Sequence, residues 1–498
     1  MEKTTQQNSR KDNPNEINEK IQDIISRGVV SFVDPNGVFT EKLRKKALGE
    51  DTSPLIVKFG VDPTRPDIHL GHAVALRKLR QLQDLGCKVV FLAGDFTAQI
   101  GDPTGKSKVR PEVDQQQIQE SMESYVRQIP KLLTLKTEND NNAIYDKNQF
   151  IVDSKCFGWI RNSDWYFGVT DIDTRGVDEA LRRIPIEPSK NYLASENSFI
   201  DKAVVFSNTR MQKMFLNRDE SSIVTFATFL SILRKISFSQ LIERDMFQDR
   251  INSNEPLFMH EMVYPILQGI DSDVIAKIYR SCDLEIGGSD QTFNMLMGRR
   301  IMEITNTNTP QATLAVRLLV GLDGKEKMSK SLDNYIGVTD APADMYGKVM
   351  SIPDAAIPEY LELATYSDLA TVALVRDGLA SGTLHPKKEK MRLARQIVEI
   401  YHGREKAEEA ERAFENVFAK GEIPNDVRTI SVAKGTLLAD ALATENVVAS
   451  KSEFRRLIDE GAIAEMDGEK ITDPFVKIER AMTLRIGKKR FLKIDCNG

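Results

Sequence analysis

LIVKFGVDPTRPDIHLGHAVALRKLRQLQDLGCKVVFLAGD, residues 55–95, is the stretch on which the fold turns. Its first eight residues are an apolar run with the length and composition of a strand buried on both faces. A turn rich in proline and aspartate follows. Then Ala75, Leu76, Leu79, Leu82 and Leu85 recur at three- and four-residue spacing. That period is the stripe of an amphipathic helix over 72–85, ended by Gly86. KVVFLAGD (88–95) reads as a second buried strand. Strand, helix, strand in that order implies a βαβ unit with a right-handed crossover. CDLEIGG (282–288) and TLAVRLLVGL (313–322) look like two more such strands, with a helix around 291–304 between them. The expected fold class is α/β, a doubly wound parallel sheet with ligands bound beyond the carboxyl ends of its strands.

Elsewhere the rhythm changes. The first twenty residues, MEKTTQQNSRKDNPNEINEK, mix both signs of charge, and residues 1–30 read as a polar tail, neither secretory signal nor transit peptide. Residues 140–205 are rich in Asn, Asp and Ser, yet they hold Trp159 and Trp165 with Phe157, Tyr166, Phe167 and Tyr192. So many aromatics suggest a packed insertion in a main domain spanning 31–345. Residues 346–428 are charged and helical in pattern and read as a second domain. In 429–498 the pattern shifts again, to a small third domain. There TLLADALATENV looks helical, and Ser450 and Glu453 of SKSE form a capping box before FRRLIDEG.

The whole chain has 498 residues, with Lys+Arg 68 against Asp+Glu 73, a net charge of −5, 41% hydrophobic and 28% charged residues. This is the balance of an ordinary soluble globular protein. No apolar run reaches the roughly 18–20 residues of a membrane helix. Cys87, Cys156, Cys282 and Cys496 are dispersed with no C-x-x-C pair. That argues against a disulfide framework and a structural zinc, and fits a reducing cytoplasm.

Four motifs bear chemistry. His69-Leu70-Gly71-His72 falls where the first strand hands over to its helix, where free N–H groups and the helix dipole favour phosphate. Two imidazoles there can donate to phosphate oxygens, and Gly71 lets a flat base approach the backbone. With only five histidines in the chain, accident accounts poorly for the pattern. Lys327-Met328-Ser329-Lys330-Ser331 follows the last strand and suits a mobile clamp on a leaving pyrophosphate; the bland alternative is a solvated basic loop. Gly101–Ser107 (GDPTGKS) invites a P-loop reading, but that motif needs a first glycine at position 100, where Ile100 stands. It reads better as a rim of the same pocket, with Asp102 available to an ammonium. Gly287-Gly288-Ser289-Asp290-Gln291 ends a buried strand, so a ligand can come close and Asp290 can take ribose hydroxyls.

Taken jointly, these motifs carry a resemblance. G-V-D-P-T-R-P-D-I-H-L-G-H (60–72), G-D-F-T-A-Q-I-G-D-P-T-G-K (94–106), Y-P-I-L-Q-G-I-D (264–271), I-G-G-S-D-Q (286–291) and K-M-S-K-S (327–331) are similar to the class I aminoacyl-tRNA synthetases, specifically the bacterial-type tyrosyl-tRNA synthetases. The resemblance extends through the helical block, as an anticodon-recognition domain, and through 429–498 as an S-four-type (alpha-L) RNA-binding domain. It implies a Rossmann-like catalytic core and a tyrosine–tRNA ligase. Such an enzyme activates L-tyrosine with ATP to tyrosyl-adenylate and pyrophosphate, then charges the 3′ end of tRNA(Tyr).

By resemblance Thr64, His69, His72, Lys327 and Lys330 act on the phosphates, and Gly71, Gly288, Asp290, Met328, Ser329 and Ser331 hold ATP. Thr97, Asp102, Tyr264, Gln268 and Gln291 surround the tyrosine, and Asp271 accepts from its phenol. Lys451, Arg455, Arg456, Lys488, Lys489 and Arg490 are expected on the tRNA backbone, where cations give salt-dependent attraction with little sequence information. ATP brings Mg²⁺, with no protein-held metal. A cytoplasmic homodimer is the expected state. Tryptophan specificity is the nearest alternative, against which Asp271 and the C-terminal motif speak. One branch of the family uses a Tyr two residues before the Gly60 position to bind the phenol; here Lys58 and Phe59 stand instead.

Overall fold

The computed structural model describes residues 13–103, 115–137, 144–146, 151–166, 224, 226–242, 244–306, 309–420, 428–445, 447–448, 450–465, 470–487 and 490–497. The chain forms two compact units, Met1–Gly403 and Arg404–Gly498.

In the first unit the described strands make one eight-stranded sheet. Its order is β1 (Val29–Val33), β8 (Ala312–Val316), β7 (Leu284–Gly288), β2 (Ile56–Val61), β3 (Lys88–Ala93), β6 (Phe157–Arg161), β5 (Ile151–Asp153) and β4 (Ile144–Asp146). The five central strands, β8 through β6, run parallel. The pairings outside them are antiparallel, so the sheet is mixed where the sequence predicts a parallel one. Val89, Val90, Phe91, Leu92 and Ala93 are all buried, as a central parallel strand requires. The Leu70–Asp84 helix crosses between β2 and β3, burying Leu76, Leu79 and Leu82. It gives way to Gly86 at φ 92°, a left-handed turn that glycine adopts without strain.

Three sequence expectations are corrected. Residues 14–30 are not tail: Pro14–Ser26 is a helix whose Asn13 cap accepts from the Asn15 amide at 3.1 Å, and Ile17, Ile21 and Ile24 are buried. Three isoleucines on one face outweigh a polar composition once there is a surface to cover. Residues 1–12 lie outside the described residues. The strands Ile144–Asp146, Ile151–Asp153 and Phe157–Arg161 are not an insertion beside the sheet but part of it, since β6 pairs with β3; residues 140–143, 147–150 and 167–205 lie outside the described residues. The run 313–322 is strand only as far as Val316.

The helices Pro342–Ser351, Ile357–Ala364, Leu369–Ala380 and Pro386–His402 belong to the first unit, so the unit boundary falls at Gly403 and not near 345. Specific bonds attach them. The Tyr360 hydroxyl donates to the Val320 carbonyl at 2.8 Å, and the Arg27 guanidinium donates to the carbonyls of Leu361, Glu362 and Thr365.

The second unit begins with the Arg404–Lys420 helix. After it come β9 (Thr429–Ala433), the helices Leu438–Thr444 and Lys451–Asp459, then β10 (Ile463–Glu465), β11 (Met482–Ile486) and β12 (Arg490–Asn497). The sheet order is β10-β11-β12-β9, with β9 parallel to β12. Ile430, Leu442, Phe454, Leu484 and Ile494 form its core. Ser450 caps the Lys451–Asp459 helix through the Glu453 amide at 3.2 Å, as the SKSE pattern predicts.

Trp159 lies opposite Phe91 in the β3–β6 ladder, and their rings stack at 4.8 Å with 5° between planes. Trp159→Ala lowers the unfolding free energy by about 3–5 kcal/mol, whereas Leu374→Ala, at a 70% exposed site, shifts it by no more than about 0.5 kcal/mol. Urea unfolding followed by circular dichroism measures both.

Candidate active site

The chain leaves β2 to reach β3 on one side and enters β7 and β8 on the other, so a crevice opens at the carboxyl ends where β2 and β7 adjoin. Open α/β sheets bind ligands at such switch points. A cavity of 510 Å³ occupies it. Thr64, His69, Gly71, His72, Thr97, Asp102, Tyr264, Gln268, Asp271, Gly288, Asp290, Gln291, Lys327, Met328, Ser329 and Lys330 all line it. The side chain of Ser331 lies outside the described residues, as do residues 104–107 of the GDPTGKS stretch.

One end of the cavity is built from the helix start and the KMSK segment. His69 is the residue before the Leu70–Asp84 helix, with extended backbone, and its amide donates to His72 Nδ1 at 3.3 Å. The two rings stack at 3.8 Å. Burial, aided by the Lys330 charge, pushes His69 down to about 3 and His72 well below the usual imidazole range. Both are therefore neutral at pH 7, each offering one N–H and one lone pair. His69 Nδ1 is buried without a partner among the described residues. A Cβ on Gly71 would lie 3.0 Å from the His69 ring and 3.5 Å from Met328 Cβ, so glycine is what lets Met328 close over the helix start.

Both lysines are docked on specific partners. Lys327 Nζ meets Asp290 at 2.7 Å. Lys330 Nζ donates to the Arg65 carbonyl at 2.8 Å and to the Tyr125 hydroxyl at 3.3 Å. Burial lowers its pKa to about 7, against the pull of Asp67 and with the push of Arg65. An incoming polyanion would restore the full charge.

The other end is a polar belt in two chains of hydrogen bonds. In the first, Asp271 accepts from Trp165 Nε1 at 3.0 Å and from Asn162 Nδ2 at 3.3 Å. Asn162 also donates to Thr97 Oγ1 at 3.0 Å, Thr97 donates to Asp62 at 2.8 Å, and the Tyr264 hydroxyl donates to Asp62 at 2.9 Å. In the second, Gln291 donates to Asp102 at 2.7 Å, and Asn294 donates to both Gln291 and Gln268 at 3.0 Å. Gln268 donates to Glu285 at 3.1 Å. Burial raises Asp271 to about 7, against the opposing Lys58 charge and the Asn162, Trp165 and Tyr166 hydrogen bonds.

Sequence reasoning missed Asp62, Tyr125, Asn162, Trp165, Glu285 and Asn294. Asp62 stands inside the G-V-D-P-T stretch and could have been weighed. Asn162 and Trp165, three residues apart, share one face of a short turn only because β6 delivers them there. Thr97 serves Asp62 and Asn162 directly. Of the residues expected on RNA, Lys451 pairs with Asp440 at 2.5 Å, Arg455 lies over the Phe475 ring, and Arg456 is 3.9 Å from Glu460. Lys488 and Lys489 lie outside the described residues, as does the Arg490 side chain.

The two buried rings give a direct check. In an NMR titration of ring nitrogens, His69 remains neutral from pH 8 down to about 4, and His72 shows no protonation step near 6.5, where an unperturbed imidazole titrates.

A family model described as tRNA synthetases class I (W and Y) matches residues 50–419. A tyrosine–tRNA ligase of Moorella thermoacetica is 37% identical over 475 residues, 95% of this chain and 94% of the relative. One of Desulfotalea psychrophila is 36% identical over 482 residues, 96% of this chain and 98% of the relative. The crystal structure of a C-terminally truncated Aspergillus nidulans mitochondrial tyrosyl-tRNA synthetase superposes with a TM-score of 0.52 at 19% identity, covering 81% of this chain and 97% of that one, and so shares the fold. With a helix-start histidine pair and a docked KMSK segment facing each other across the switch point, and with relatives matched along nearly its whole length, this chain belongs to the class I tRNA synthetases of the tryptophan and tyrosine group.

Proposed function

We propose that this chain is a tyrosine–tRNA ligase. The observation that carries the reading is the sharing of one cavity by His69, Lys327 and Lys330 at one end and Asp271 at the other. ATP lies with its phosphates against the helix start and the KMSK lysines; Mg²⁺ enters with it as part of that substrate. A carboxylate oxygen of tyrosine attacks the α-phosphorus, the bond from that phosphorus to the bridging oxygen breaks, and pyrophosphate leaves. The terminal ribose hydroxyl of tRNA then attacks the acyl carbon, and AMP leaves. No protein nucleophile is needed, so positioning and stabilisation of charge on the phosphates supply the rate.

Each residue has a role in this scheme. The unpartnered His69 Nδ1 suits a phosphate hydroxyl or a water, and its other nitrogen a phosphate oxygen. Thr64 and His72 complete that rim. Lys327 and Lys330 exchange Asp290 and the Arg65 carbonyl for pyrophosphate oxygens. Gly71, Met328 and Ser329 border the base, and Gly288 and Asp290 the ribose. Asp102, held by Gln291, takes the ammonium, with Tyr264, Gln268 and Thr97 around it. Ionised Asp271 accepts the phenol proton.

Residues 429–498 of the second unit are proposed as the S-four-type RNA-binding domain, supported by two short helices followed by an antiparallel ladder, with Lys451, Arg455, Arg456, Lys488, Lys489 and Arg490 along the tRNA backbone. The helices ahead of it are proposed to meet the anticodon. A homodimer is supported by large apolar side chains left open on the 226–259 segment, where Phe226 is 75% and Met259 72% exposed. Free cysteines at all four positions suit a reducing cytoplasm.

Tyrosine-dependent ATP–pyrophosphate exchange tests the reading. His69→Ala lowers kcat/KM for ATP by ~10²–10³. At saturating ATP, kcat/KM for tyrosine falls as pH drops below about 7, because protonated Asp271 loses its lone pair for the phenol; Asp271→Asn removes that limb. Exchange driven by tryptophan and not by tyrosine would overturn the proposal. Removing 429–498 abolishes tRNA charging while exchange stays within about twofold. In the full chain, tRNA affinity falls as salt rises, by about tenfold per tenfold increase in concentration for every phosphate that a lysine or arginine neutralises.

A further inference from the structure

We propose that the buried Lys58–Glu285 ion pair is a positioning device that sets this pocket's preference for tyrosine over phenylalanine; the inference rests on the tyrosine reading above. Lys58 stands in the middle of β2, and its side chain is fully buried. Its ammonium has three hydrogens and three acceptors: Glu285 Oε1 at 2.9 Å, the Gln268 carbonyl at 2.9 Å and Ser272 Oγ at 2.8 Å. None is left for a ligand, so Lys58 does not bind the phenol itself. Glu285, on β7, is equally occupied. One oxygen takes Lys58 and Gln268 Nε2, the other Ser272 Oγ and Gln311 Nε2. A buried ion pair with every lone pair and hydrogen used is the kind that a protein can retain.

The placement of those bonds matters more than their number. Gln268 and Ser272 lie four residues apart on the Met259–Tyr279 helix, so they bracket Asp271 on one turn. Lys58 and Glu285 tie both ends of that turn to two neighbouring strands. The direction in which Asp271 leaves the helix is thereby set by the sheet. Asp271 accepts from Trp165 on one oxygen and from Asn162 on the other, with Tyr166 also beside the carboxylate. The groups that face it are Lys58, Asn162, Trp165 and Tyr166, and the Lys58 charge favours its ionised, accepting form. Phenylalanine has no hydroxyl to offer and gains nothing from this alignment. Loosening the turn therefore penalises tyrosine alone.

The test is the double variant Lys58→Met/Glu285→Gln, which removes both charges together and strands neither. Exchange driven by tyrosine and by phenylalanine is measured beside the KM for ATP, with folding verified by thermal unfolding. The expected result is a rise in tyrosine KM of about tenfold or more, with phenylalanine kcat/KM and the KM for ATP each within about twofold. A tyrosine-to-phenylalanine ratio equal to wild type, or equal losses toward tyrosine and ATP, overturns the inference. If the double variant does not fold, Ser272→Ala decides the matter. It deletes one bond to each partner and keeps both charges, with the ratio expected to fall about threefold and an unchanged ratio again overturning the inference. Wild-type protein without tyrosine-driven exchange would sink the functional proposal instead, independently of either variant.

Discussion

Polar groups taken out of water must find partners, and at the carboxyl ends of β2 and β7 this molecule takes many out at once. Lys58, Glu285, Asp271, Asn162 and Asn294 are all nearly or wholly buried there. An unpaired charge in such surroundings would be costly enough to undo the fold. The groups therefore answer one another in continuous chains, and those chains hold each carboxylate at the cavity wall in one orientation. On the proposed reading, the selectivity of the pocket and the stability of the sheet's centre depend on the same bonds.

The end of the cavity between the helix start and the KMSK segment is built differently. There the charges are few and provisional. Two imidazoles are kept neutral by burial, and Lys330 is brought to about 7 by desolvation. Lys327 is occupied by Asp290 and Lys330 by a backbone carbonyl and Tyr125, contacts that a polyanion can replace one for one. A site preorganised for negative charge, with its cations docked and not wandering, loses little when the ligand arrives.

Much of the arrangement was legible in the chain. The βαβ rhythm of 55–95 placed the first crossover, and H-L-G-H and K-M-S-K-S named the two sides of one end of the cavity. What escaped was whatever depends on a second surface. Ile17, Ile21 and Ile24 sit among so many charges that their helix makes sense only against the body it covers. The aromatic-rich 157–166 stretch looked like something added to the sheet because its strand is short and its partner, β3, lies more than sixty residues earlier.

The sequence by itself determined the local periods, the cap at Ser450, the glycine at position 86 and the two signature motifs, because these are decided within a few residues of backbone. Only the tertiary structure decided that Lys58 spends its ammonium inside the protein, and that Trp165 and Asn162 hold Asp271. It alone also decided that Asp62 gathers Thr97 and Tyr264. Those partners are brought together by strand order, and strand order is an outcome of the whole sheet closing over its core, which no short stretch of chain encodes.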